Sequence, residues 1–265
     1  MTGDATAYDG GLAITGYVHE LSIGKLTMVR HSRVREPATW PHQLGVIPRR
    51  AQSFQHRAEA ERLRAATMGG STSILCQVLT GMGGVGKTQL AADYAHTAWE
   101  NRDVDVLVWI TASTRSAVVS GYARAGIDLC RADPDDPEQA AQAFLAWLQR
   151  KSVARPCRWL IVLDDIADPA DLRGLWPPAN PDGRTLATTR RRDSALTGED
   201  RNLVEVGLFS EGEAVGYMTA SLAAHGRNEA AGELAALAAD LGYLPMALSQ
   251  AVAYIIDTGL DCTAY

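Results

Sequence analysis

Gly81-Met82-Gly83-Gly84-Val85-Gly86-Lys87-Thr88 has the spacing G-x-x-x-x-G-K-[ST], which wraps a run of backbone N–H groups around the oxygens of a polyphosphate. Only glycine combines such a turn with so close an approach of backbone to ligand. Lys87 is then the counter-charge for the β- and γ-phosphates, and Thr88 offers its hydroxyl to Mg²⁺. The helix opening here and continuing through Gln89 directs its positive end at the same oxygens. These residues predict a nucleoside triphosphate site held by Gly81, Met82, Gly83, Gly84, Val85, Gly86, Lys87, Thr88 and Gln89.

A metal on one threonine, phosphates and water is ordinarily steadied by a carboxylate from a neighbouring strand. Arg158-Trp159-Leu160-Ile161-Val162-Leu163-Asp164-Asp165 supplies it, because an unbroken apolar run is a strand buried on both faces. Its C-terminal end delivers Asp164 to the sheet edge where ligands bind. Thr88 and Asp164 are therefore the expected metal ligands. Asp165 is the residue expected to orient or deprotonate the attacking water. Thr188-Thr189-Arg190 ends the next predicted strand. If that strand lies between the other two, its tip faces the γ-phosphate and Arg190 reports on it. The expected catalytic set is Lys87, Asp165 and Arg190.

The elements that must position these residues alternate. Strands are predicted at 74–80, 104–111, 159–163, 185–188 and 203–206, with helices between them, the signature of a mainly parallel sheet flanked by helices. From Ser210 the pattern becomes helix after helix: 211–224, 228–241 and 245–258. The expected organisation is α/β: an irregular or β-rich N-terminal arm over 1–45, a P-loop nucleotide-binding domain with its linker over 46–207, and a small all-helical subdomain over 208–265. Pro37, Pro41 and Pro48 punctuate an extended connector ahead of the core.

Composition narrows the classes. With 265 residues, 46% hydrophobic and 21% charged, the chain is an ordinary globular protein of one or two domains. A net charge of −6 argues against nonspecific nucleic-acid binding. The four cysteines lack C-x-x-C spacing, so reduced thiols are expected, and the six histidines show no metal spacing. No apolar run reaches the roughly 18 residues that span a bilayer, and the N-terminus lacks a signal pattern. The expected location is cytoplasmic.

With Gly242-Tyr243-Leu244-Pro245-Met246-Ala247-Leu248 following in order, the chain resembles, over about 46–260, the NB-ARC group of STAND signalling NTPases. The phosphate loop matches the family's G-x-G-G-x-G-K-T. Leu160 through Asp165 correspond to its L-x-x-L-D-D, Thr188 through Arg190 to its T-T-R sensor, and Gly242 through Ala247 to its G-x-L-P-L-A. The resemblance implies ATP and ADP as ligands with Mg²⁺, Pro245 packing against adenine, and Val46-Ile47-Pro48 closing the other side of the base. It also implies a protein partner or self-association through the switch. Where the family has apolar-Gly-Arg-Glu, this chain has Phe54-Gln55-His56-Arg57-Ala58, so only Arg57 carries over. The family's winged-helix and repeat modules have no place before Tyr265, so the expectation is the core of a longer protein or a shortened relative.

The expected function is an ATP/ADP-binding switch with slow Mg²⁺-dependent hydrolysis. The alternatives are a turnover ATPase or kinase-like enzyme built on the same loop, and a scaffold with structural nucleotide. A GTP switch is disfavoured by the lack of an N-K-x-D guanine-reading tetrapeptide.

Overall fold

Six strands hydrogen-bond in the order β1-β3-β4-β5-β2-β6, every neighbouring pair parallel. They are β1 (His42–Leu44), β2 (Thr72–Gln77), β3 (Val106–Thr111), β4 (Trp159–Ile166), β5 (Gly183–Thr189) and β6 (Arg201–Val206). The computed structural model describes residues 38–55, 57–67, 72–77, 83–149, 157–191, 196 and 201–265. The predicted N-terminal arm up to residue 37, Gly81 and Met82 lie outside the described residues.

Parallel neighbours need crossovers, and helices supply them. These are α1 (Ala58–Thr67), α2 (Lys87–Glu100), α3 (Arg115–Cys130) and α4 (Pro137–Leu148). The pleat sorts each strand onto both layers. On β3, Val106, Val108 and Ile110 join a cluster with Tyr122 of α3 and Phe144 of α4. Leu107 and Trp109 face the opposite cluster, with Leu90 and Tyr94 of α2 and Leu63 of α1. On β4, Trp159, Ile161 and Leu163 join the first, and Leu160 and Val162 the second. The apolar run of β4 is thus covered on both faces, and its aspartates are left at the exit.

Three further helices, α5 (Glu211–Ala223), α6 (Ala231–Asp240) and α7 (Pro245–Thr258), share a separate cluster including Met218, Leu222, Leu234, Leu248 and Ile255. Ser210 opens α5 with a capping box to Glu213. Pro245 opens α7 at its first turn, where a missing N–H costs nothing. Among the described residues no helix is long and apolar enough to cross a membrane.

The sheet begins earlier than the sequence indicates. His42–Leu44 pairs with Val106–Val108 at the sheet edge, inside the stretch assigned to the arm and connector. Three residues between Pro41 and Gly45 carry too short a pattern to register as a strand. Alongside, Trp40 stacks on Trp147 of α4 with ring centroids 6.3 Å apart.

Candidate functional site

β5 lies between β4 and β2, so the tip bearing Thr188 and Arg190 emerges beside both the glycine loop and the paired aspartates. A cavity of about 510 Å³ opens there, a size suited to a nucleotide-sized ligand. Gly84 to Gln89 line one wall; Thr111, Asp164, Asp165, Thr188 and Arg190 line the strand tips.

The loop wall is built by backbone conformation. Gly84 and Gly86 sit at φ +87° and +96°, a region that L side chains avoid. Gly86 leads directly into α2, whose first turn has neither a capping side chain nor an acidic residue. Its positive end is left for an anion. Lys87 is buried at 9% exposure within this wall.

At the strand tips, the Thr88 hydroxyl donates to Asp164 Oδ1 at 2.9 Å, and the Thr188 hydroxyl donates to the same oxygen at 2.6 Å. Asp164 is itself buried. A threonine hydroxyl and a carboxylate brought together on adjoining elements form the hard-oxygen pair that Mg²⁺ takes from a protein, the remaining ligands being phosphate and water. Among the described residues no group of three or more His, Cys, Asp or Glu stands ready to cage a metal, so a cation here depends on those outside ligands. Asp165 also lines the cavity, and Arg190 Nε lies 3.3 Å from its Oδ1.

The rest of the lining comes from Phe209, Tyr217 of α5, Pro245 and Met246 of α7, and the segment Ala51 to Gln55. Burial pushes the Tyr217 phenol pKa up. The Met246 N–H donates to the Gly84 carbonyl at 3.1 Å, so α7 rests on the phosphate loop itself. A Cβ at Gly84 would lie 2.6 Å from Met246 Cβ.

Val46 and Ile47 do not reach this cavity. Val46 is 85% exposed, and Ile47 is buried in the α1–α2 cluster. The segment that borders the opening is Ala51–Gln55, five residues further on. α2 holds it there: Gln89 Oε1 accepts from the Ala51 N–H at 2.7 Å, and Arg50 bonds Asp93, Thr97 and Glu100. Gln89 thus anchors the connector as well as lining the cavity. The connector must first run along α2, which residue spacing does not reveal.

Arg57, the one residue that carries over from the family's apolar-Gly-Arg-Glu segment, is buried between the phosphate loop and the start of the helical segment. Its guanidinium donates to the carbonyls of Val85 at 3.0 Å and of Gly207 and Leu208 at 2.9 Å each. It also lies 5.0 Å from the Phe209 ring centroid. Phe209 and Tyr217 line the cavity without belonging to any sequence motif; the position of Phe209 directly before the Ser210 cap is its one local signal.

Fold and site together define a P-loop nucleotide-binding protein. The Walker-type ATPase of Pyrococcus abyssi superposes with a TM-score of 0.53 at 12% identity, covering 80% of this chain and 70% of that one; the likeness concerns the fold. The NB-ARC domain matches residues 59–223, and the chain belongs to the NB-ARC family. It is similar to a nucleotide-binding leucine-rich repeat (NLR)-like protein of Hyaloscypha variabilis, 27% identical over an alignment of 216 positions that covers 72% of this chain and 21% of that protein. It is also similar to the regulatory protein AfsR of Streptomyces griseus, 32% identical over 194 residues, 70% of this chain and 19% of that protein. The chain spans about a fifth of the length of these curated relatives.

Proposed function

We propose that this chain is the nucleotide-binding core of a signalling switch that takes ATP or ADP with Mg²⁺ and hydrolyses ATP slowly. The observation that carries the reading is the convergence of Gly84–Thr88, Asp164, Asp165, Thr188 and Arg190 on one cavity bordered by Pro245. Lys87 neutralises the outer phosphates, and Thr88 with Asp164 holds Mg²⁺, which when bound offsets charge on the phosphate oxygens. Asp165 takes a proton from a water whose oxygen bonds the γ-phosphorus as its bond to the β–γ bridging oxygen breaks, yielding ADP and phosphate. Arg190 contacts the outermost phosphate. Phe209, Tyr217 and Pro245 offer apolar and aromatic faces to the base. The names of the relatives, an NLR-like and a regulatory protein, support a regulatory output; the same reading takes that output through a protein partner or a second copy in the cytoplasm. In this reading residues 208–265 are the part whose position the nucleotide controls, consistent with their separate core.

Thermal melting with Mg²⁺ and ATP, ADP or GTP tests the reading on the wild type and Lys87→Ala. A ligand at a hundredfold excess over its Kd stabilises the native state by about 2.7 kcal/mol. The expected result is a rise in Tm with ATP and ADP that Lys87→Ala largely removes. An equal rise with GTP ends the adenine assignment, and a rise that survives the substitution ends the site.

A further inference from the structure

Successive residues of a strand point to opposite faces, yet Asp164 and Asp165 both line the same cavity. The register explains how. Leu163 pairs with Ala187 and Ile166 with Thr189, so two residues of β4 stand opposite the single residue Thr188 of β5. This is a bulge, which re-aims a side chain and leaves ladder groups without their usual partners. Asp165 takes up the extra residue at φ +56°, a left-handed conformation that aspartate tolerates better than most side chains.

The next strand mends the broken ladder with hydroxyls. Thr188 Oγ1 accepts from the Asp165 N–H at 2.8 Å while donating to Asp164 Oδ1 at 2.6 Å. Thr189 Oγ1 donates to the Ile166 carbonyl at 2.9 Å, where β4 leaves the bulge. Both threonines are buried, at 1% and 0% exposure. One hydroxyl therefore fixes the backbone of the second aspartate and the carboxylate of the first.

We propose that Thr188 is the positioning residue for both carboxylates of this site, with Thr189 pinning the strand beyond the bulge. The inference rests on the nucleotide reading above and assigns the source of the geometry that reading uses. Valine at 188 keeps the shape of the side chain but leaves the Asp165 N–H without its acceptor and removes the shorter of the two hydroxyl bonds to Asp164 Oδ1, that from Thr88 remaining. Serine restores the hydroxyl.

The test compares wild type, Thr188→Val and Thr188→Ser in three measurements. Amide hydrogen exchange at Asp165 without nucleotide should show protection in wild type and Thr188→Ser and its loss in Thr188→Val. ATP binding, titrated in Mg²⁺ and again in EDTA, should show the metal-dependent gain in affinity falling about tenfold or more in Thr188→Val, the usual cost of removing a group that orients a metal ligand. Binding in EDTA should hold within about twofold, since the loop contacts are untouched. Turnover at saturating Mg²⁺ and ATP should fall about tenfold in the valine variant and recover in the serine variant. An unprotected Asp165 amide in the wild type overturns the proposal even if Thr188→Val does not fold. So does a valine variant with undiminished metal-dependent affinity, or a serine variant that fails to restore it. Wild-type protein that binds no ATP with Mg²⁺ overturns instead the nucleotide reading beneath it, while the exchange result still reports on the hydroxyl.

Discussion

Arg190 and Asp165 form an ion pair whose side chains are 68% and 45% exposed. Pairs this open to solvent are screened and contribute little to stability, about 0–1 kcal/mol. An arginine held so lightly exchanges its carboxylate for a phosphate at small cost, and a charge-assisted contact to phosphate is the stronger bond. Arg190→Ala is therefore expected to leave the Tm of the ligand-free protein unchanged while removing the extra stabilisation of ATP over ADP. Melting curves with each nucleotide check this, and a preserved ATP–ADP difference would assign the sensing to another group. The residues most readable from sequence are those whose chemistry follows from local spacing. Lys87 and Thr88 follow the glycines directly, and Asp164 ends a run too apolar to be anything but a central strand. Thr188 was readable as a neighbour of Arg190 but not as the partner of two aspartates, because that depends on a bulge 23 residues away. Ala51–Gln55, rather than Val46–Ile47, borders the cavity for a similar reason: Arg50 and Gln89 steer the connector through contacts made across 38 to 50 residues.

Among the elements, the strands with long apolar runs and the helices with clear caps could be read directly, since burial on two faces and capping each leave a mark within a few residues. β1 left none, being short and at the edge. The segment before α1 is the most consequential of the less legible pieces. Arg57 ends it and spends its guanidinium on three carbonyls from two other elements, Val85 in the loop and Gly207 and Leu208 between β6 and α5. Glu59 and Glu213 lie 3.5 and 3.8 Å away and balance the buried charge. Removing Arg57 strips three carbonyls of their donor and leaves Glu59 to Arg62 and Glu213 to the Ser210 N–H, and breaking a buried charge arrangement by removing one partner costs about 3–5 kcal/mol. Arg57→Ala should lower stability by that order in chemical denaturation. Arg57→Lys should not rescue it, because an ammonium on a flexible stem cannot reproduce the planar fork. A lysine variant with wild-type stability would show that charge alone matters at this position.

Across the whole molecule, the helices from α5 onward meet the sheet at the phosphate loop through two adjacent carbonyls. Met246 of α7 donates to Gly84, and Arg57 bridges Val85 to the start of the helical segment. A loop that reshapes around phosphates moves both carbonyls together, so the two ties respond as one element biased by ligand. Gly84→Ala attacks the first tie. The residue sits at φ +87°, and its new Cβ would fall 2.6 Å from the Cβ of Met246, an atom too close to the backbone to swing aside. The left-handed conformation alone costs about 1–2 kcal/mol for an L residue, and the displaced helix adds to that. If the ties act as a unit, breaking one leaves the other with less to hold. The double variant with Arg57→Ala should then lose less stability than the sum of the single losses, with a coupling of about 0.5–3 kcal/mol. Denaturation of the four proteins in the cycle measures it. Losses that add within about 0.5 kcal/mol would mean that loop and helices are fastened independently, and a switch transmitted through this junction would lose its physical basis.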